Sequence, residues 1–125
     1  MKLEEFSQDD FERASKRLVR SLTRGKTTSS QPKAILLGGQ SGAGKTTIHR
    51  VKQREFQGNI IIIDGDSYRS FHPNYLGLQE KYGKDSVDYT KVFAGQMVEY
   101  LVDELSKKGY HLLIEGTLRT TEVPR

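Results

Sequence analysis

The chain of 125 residues contains no cysteine. That excludes a disulfide framework and any thiolate metal site. Nowhere do 18 or more apolar residues run together, so no transmembrane helix is expected. The opening Met1-Lys2-Leu3-Glu4-Glu5 lacks the apolar run of a secretory signal. These absences together point to the cytoplasm. The three histidines, His49, His72 and His111, show no metal-ligand spacing and read as structural or surface residues. No internal repeat and no low-complexity segment is present. The formal net charge of +4 is mild. It suits a phosphorylated substrate without requiring one.

What is present fits one domain with a core, since a chain of this size buries roughly two-thirds of its unfolded surface. Residues 7–24 read as a helix. Ser7 with Asp10 three residues on is an N-cap signal, and Phe11, Ala14, Leu18 and Leu22 share a face. Arg13, Lys16, Arg17, Arg20 and Arg24 lie mostly elsewhere on it. No aromatic residue is interleaved with them, so they read as a solvated face rather than a nucleic-acid surface. A polar linker follows over residues 25–33. Ala34 to Leu37 is a short apolar strand, and Thr46 to Lys52 opens a helix expected to end near Glu55. Ile60 to Ile63 is apolar throughout, as a strand buried on both faces should be. Residues 67–84 read as irregular, with a short helix around 76–81. A long helix is expected from about Asp85 to Lys107, with Val87, Ala94, Val98, Leu101 and Leu105 on its seam and Gly109 to stop it. Leu112 to Glu115 is a third strand. Strand, helix, strand, helix, strand predicts an α/β fold with a parallel sheet and flanking helices.

Between the first strand and its helix stands Gly39-Gln40-Ser41-Gly42-Ala43-Gly44-Lys45-Thr46, a full match to the phosphate-binding loop G-x-x-x-x-G-K-[ST]. Glycines let successive N–H groups turn inward around phosphate oxygens, aided by the positive end of the following helix. Lys45 is expected to reach the β- and γ-phosphates of ATP, and the Thr46 hydroxyl to hold Mg2+. Thr47 completes the expected nucleotide-binding set.

In such sheets ligands bind at the carboxyl ends of the strands. Three clusters fall there: residues 38–46, 64–69 and 115–119. Asp66, just past the second strand, is the expected catalytic group. Phosphoryl transfer needs a carboxylate to accept the proton of the attacking hydroxyl, or to link to the metal. Asp64 is closer to the strand and reads as a cap for loop N–H groups. Glu115 ends the third strand. It either orients a magnesium-bound water, binds substrate hydroxyls or caps the next turn. Thr117 follows on the same loop. Arg119 and Arg69 are each either a phosphate clamp or a surface arginine. Tyr68, Phe71, Tyr75 and Tyr82 cluster around the irregular segment, as pocket walls or as pins holding a loop to the core.

Gly39 to Thr46, Ile63-Asp64-Gly65-Asp66-Ser67-Tyr68-Arg69 and Leu113-Ile114-Glu115-Gly116-Thr117-Leu118-Arg119 in this order resemble the zeta toxin family, the toxins of epsilon/zeta-type toxin–antitoxin systems. The resemblance covers nearly the whole chain. It implies a P-loop kinase fold, and ATP-dependent phosphorylation of UDP-N-acetylglucosamine at the sugar 3′-hydroxyl, which starves peptidoglycan synthesis. It implies Lys45 and Thr46 as ATP and magnesium residues and Asp66 as the base. It implies Glu99, Glu115, Thr117 and Arg119 as substrate-site residues. Glu99 has no such signal of its own, since by pattern it is a helix-surface acid. The implied partner is an epsilon-type antitoxin whose inserted helix blocks the ATP site, with no nucleic acid and no membrane involved.

Family members also carry later arginines that stabilise the transferring group, with further strands and a helical lid, and none can be assigned before Arg125. The chain therefore reads as the N-terminal part of one P-loop kinase domain, with a core over 34–119 and little activity alone. In such kinases the third strand lies between the first and second. The first strand would then be an open apolar edge unless something covers it. Two other readings stay open: another small P-loop phosphotransferase (acting on an antibiotic, adenylyl sulfate or a polynucleotide end), and a non-catalytic module that binds nucleotide or antitoxin.

Overall fold

A computed structural model describes residues 2–37 and 43–115, the side chains of 43–46 apart. Three parallel strands form the sheet: β1 (Ala34–Leu36), β2 (Ile61–Asp64) and β3 (Leu112–Glu115), in the order β1-β3-β2. β3 pairs Ala34 with Leu112 on one side and Ile61 with Leu112 on the other, and Asp64 stands opposite Glu115. The expected strand order is therefore present. β1 has β3 as its partner among the described residues, and its Leu36 is 55% exposed.

Helix α1 (Gln8–Thr23) begins at the expected cap. Ser7 accepts from the Asp10 N–H, and Asp10 accepts in return from the Ser7 N–H. Ala14 and Leu18 are buried while all five of its expected solvated bases are exposed. The segment over 25–33 is tied to the amino ends of the strands. Thr27 N–H donates to Asn59 at 2.8 Å, Ser29 N–H to the Gly109 carbonyl at 2.8 Å, and Lys33 N–H to His111 Nδ1 at 3.0 Å.

Helix α2 (Ala43–Glu55) starts three residues earlier than the sequence suggests and ends where expected. The last loop glycine, Gly44, lies in its first turn. Phe56, just past its end, packs on His111 with ring centroids 4.8 Å apart. His49, near its start, touches Glu115 at the far end of β3. So α2 runs back across β3 with its amino end at the carboxyl edge of the sheet.

The stretch after β2 holds the short helix expected around 76–81, but the rest of it is not irregular. It is a series of short helices: α3 (Gly65–Tyr68), a 3-10 turn over Arg69–Phe71, α4 (Tyr75–Tyr82) and a second 3-10 turn over Gly83–Ser86. Asp64 caps α3 and Gly83 stops α4 with φ +58°. Single turns are too short to leave a 3.6-residue pattern.

Helix α5 (Val87–Lys108) carries the core. Ala94, Val98, Leu101 and Leu105 are buried as expected, but Val87 is 41% exposed at the first turn and leaves the seam. Phe93 and Met97, both fully buried, occupy it instead. These side chains pack with Ala14 and Leu18 of α1 on the sheet face formed by Ile61, Ile63, Leu112 and Ile114. Ile62, on the other face of β2, is only half-buried, so that strand is less enclosed than its isoleucine run suggests. Gly109 ends α5 at φ +96°, a left-handed conformation that favours glycine. None of the helices is long and apolar enough to cross a membrane, among the described residues.

Candidate functional site

The carboxyl edge of the sheet gathers three chain segments. The amino end of α2 arrives there behind β1, carrying Ala43, Gly44, Lys45 and Thr46 in its first turns. No acidic residue lies in that first turn, so the turn itself carries no charge against an anion at the positive end of the helix. The amino end of the helix, with no acid in its first turn, fits an anionic group such as a phosphate. The loop residues Gly39, Gln40, Ser41 and Gly42 lie outside the described residues, as do the side chains of Ala43, Lys45 and Thr46. Thr47 is exposed on α2.

Asp64 behaves as the sequence suggests. Its carboxylate accepts from the Asp66 N–H at 3.1 Å and from the Ser67 hydroxyl at 2.8 Å. Both contacts fix the turn that presents Asp66. The Asp66 side chain is 75% exposed at this edge, with Arg69 donating to Oδ1 at 2.7 Å. Arg69 is thus paired with Asp66. Gly65 is what lets the turn lie close to α5. A Cβ there would sit 3.0 Å from Val98 Cγ2. Glu99 is the next residue along α5 and is exposed.

Glu115 is different in kind. Its side chain is only 6% exposed, and its Oε2 meets Nε2 of His49 from α2. A buried carboxylate needs a donor, because losing water without one is costly. Tyr68 lies close by, 3% exposed, with its hydroxyl buried and unpartnered among the described residues. Burial pushes the phenol up to about 12. The carboxylates of Asp64 and Glu115 add to that, and the Asp64 main chain opposes it without reaching hydrogen-bond geometry. Tyr68 is thus a buried neutral phenol under the influence of both acids.

The structure brings together Asp64, Asp66, Tyr68, Arg69, Glu115 and the first turn of α2. Thr117 and Arg119 fall outside the described residues. His49 has no site role by sequence alone. A signal for it exists: it lies four residues after Lys45, one turn along the same helix.

A parallel α/β sheet with a phosphate-loop sequence between its first strand and helix, and acids ending the two neighbouring strands, defines a phosphate-loop α/β protein. The family model described as Zeta toxin matches residues 18–125, and the chain belongs to that family. Toxin PezT of Streptococcus pneumoniae serotype 4 is 67% identical over the whole chain, which covers 49% of that protein. Toxin zeta of Streptococcus pyogenes is 41% identical over 95% of the chain, covering 42% of that protein. A solved structure from a study of the PezAT chromosomal toxin–antitoxin system of Streptococcus pneumoniae superposes with a TM-score of 0.93 at 68% identity. It covers 99% of this chain and 51% of that one. The chain spans about half the length of the curated relatives it matches.

Proposed function

We propose that this chain is the nucleotide- and acceptor-binding part of a toxin kinase that uses ATP to phosphorylate UDP-N-acetylglucosamine at the sugar 3′-hydroxyl, in the cytoplasm, so inhibiting peptidoglycan synthesis. The observation that carries the reading is the convergence at one sheet edge of the α2 amino end, the Asp64–Asp66 turn and Glu115. In this reading the loop N–H groups from Gly39 to Gly44, with Lys45, grip the polyphosphate of ATP, and Thr46 holds Mg2+. Bound ATP supplies the phosphoryl group, and Mg2+ offsets its charge. Asp66 takes the proton from the 3′-hydroxyl as that oxygen forms its bond to phosphorus and ADP leaves. The exposure of Asp66 supports this role, since a substrate hydroxyl can reach it. Glu115, Glu99, Thr117 and Arg119 orient the sugar nucleotide.

The test is transfer of labelled phosphate from ATP to UDP-N-acetylglucosamine by the longest natural reading frame carrying these residues. Lys45→Ala and Asp66→Ala are each expected to lower kcat by about a hundredfold or more. Unchanged turnover in either variant would remove that residue from the mechanism. A panel with aminoglycosides, adenylyl sulfate and polynucleotide 5′ ends separates this acceptor from those of other phosphate-loop kinases.

The similar solved structure comes from a toxin–antitoxin system, PezAT. That supports a cognate antitoxin as partner here, and in this reading one of its helices covers the ATP site. Saturating antitoxin is then expected to abolish binding of a fluorescent ATP analogue. Undiminished binding would put the antitoxin elsewhere.

A further inference from the structure

We propose that His49 is the positioning residue for Glu115, so that the helix carrying the phosphate-binding lysine directly fixes the acid at the acceptor end of the site. The inference rests on the reading of Glu115 as an acceptor-binding group. It goes beyond that reading in giving the contact a purpose.

Glu115 is the last residue of β3 and is nearly inaccessible to solvent. Such a carboxylate has about four lone-pair directions to satisfy and cannot donate. The one side-chain donor that reaches it among the described residues is His49 Nε2. Tyr68 is buried beside it, yet its hydroxyl makes no hydrogen bond among the described residues. The direction of the Glu115 carboxylate is therefore set from α2. With the acid ionised it only accepts, and the imidazole then carries its proton on Nε2.

The placement of His49 gives the contact its consequence. It lies on the second turn of α2, one turn beyond Lys45, on a helix that is continuous from Ala43 to Glu55. Glu115 in turn stands in register with Asp64, whose carboxylate shapes the turn that presents Asp66. The order of contacts is α2, His49, Glu115, then the neighbouring strand end and Asp66. A rigid shift of the α2 amino end would be felt at Glu115 through one hydrogen bond rather than through the loop. A histidine that merely neutralised a buried acid would matter for stability and for nothing else. A positioning histidine matters for acceptor KM.

Two measurements decide it. In long-range 1H–15N NMR spectra of this chain, His49 is expected in a form protonated at Nε2, with an Nε2 shift that moves on Glu115→Gln. An Nε2 shift indifferent to Glu115→Gln overturns the contact whatever the acceptor is. In kinetics on the longest natural reading frame, His49→Leu is expected to raise the KM for UDP-N-acetylglucosamine about tenfold or more while leaving the KM for ATP within about twofold. His49→Gln keeps an N–H donor and is expected to recover most of the loss. His49→Leu should add nothing to Glu115→Gln. Equal damage by Leu and Gln, equal damage to both substrates, or full additivity overturns the positioning role. A wild-type protein that transfers nothing to this sugar nucleotide sinks the acceptor reading instead, and the NMR result still decides whether His49 holds Glu115.

Discussion

Phe93 is the residue on which the packing of the N-terminal segment turns, and its removal has a calculable cost. It is fully buried on α5. Its ring stands edge-on to Phe6 at 5.0 Å and to Phe11 at 5.7 Å, and lies 5.3 Å from His72. One ring thus joins the residues before α1, α1 itself and the turn preceding α4 to the long helix. Phe93→Ala removes the ring and leaves a cavity that four separate segments would have to collapse to fill. The expected loss is about 3–5 kcal/mol, with the edge-on ring contacts contributing about 0.5–1.5 kcal/mol each beyond area alone. For a chain of this length urea unfolding has a slope of about 2 kcal/mol per molar. The midpoint should therefore fall by about 2 M with the slope unchanged. Phe93→Leu, which keeps most of the volume, should fall by well under half of that. A drop below about 0.5 M for Phe93→Ala would refute the reasoning, because it would mean that the four segments are held together by something else. Phe6→Ala in the Phe93→Ala background should cost less than in the wild type, since the shared contact is already gone.

Tyr68→Phe removes a buried hydroxyl that has no partner among the described residues, so stability in urea should be unchanged or higher by up to about 1 kcal/mol; a loss above that would reveal a hidden partner. The Tyr68 phenol, pushed up to about 12 from 10.0, stays neutral in the folded chain while the unfolded chain ionises first. Its contribution is complete below about pH 10 and is lost as pH rises through about 12. A tyrosinate absorbance step near pH 12 should vanish in Tyr68→Phe. Gly109→Ala must adopt φ +96° and bring a Cβ within 3.0 Å of the Ser29 carbonyl. It should lose about 2 kcal/mol or more, and a neutral result in thermal melts would contradict the left-handed stop. Ser7→Ala breaks the reciprocal cap of α1 and should cost about 1 kcal/mol by the same assay.

How much of this was legible in the sequence depends on how local the signal was. Ser7 and Asp10 announced the start of α1, the isoleucine run announced β2, and Gly109 announced the end of α5, because each acts through its own neighbours. The position of β3 between β1 and β2 followed from resemblance to a kinase fold, not from periodicity. Within residues 67–84 the short helix expected around 76–81 is present as α4, but the turns on either side of it were missed, since turns of three or four residues show no period. Val87 misled because it fits the seam by spacing but sits at the first turn, where α5 has not yet reached the core. At the site, Asp64 and Asp66 were separable in advance by their distance from the strand end. The His49–Glu115 contact was not, since the two are 66 positions apart and only the crossing of α2 over β3 brings them together. The unpartnered Tyr68 hydroxyl is likewise a product of packing that no spacing encodes.

The central claim is that the phosphate-loop helix, Asp66 and Glu115 serve one phosphoryl transfer to a sugar nucleotide. It is tested most directly by 31P NMR and mass spectrometry of UDP-N-acetylglucosamine incubated with ATP, Mg2+ and the longest natural reading frame carrying these residues. The expected result is a single new phosphomonoester at the sugar 3′ position, formed one-for-one with ADP. Free phosphate and ADP with an unmodified sugar nucleotide, or no consumption of ATP at all, would contradict it.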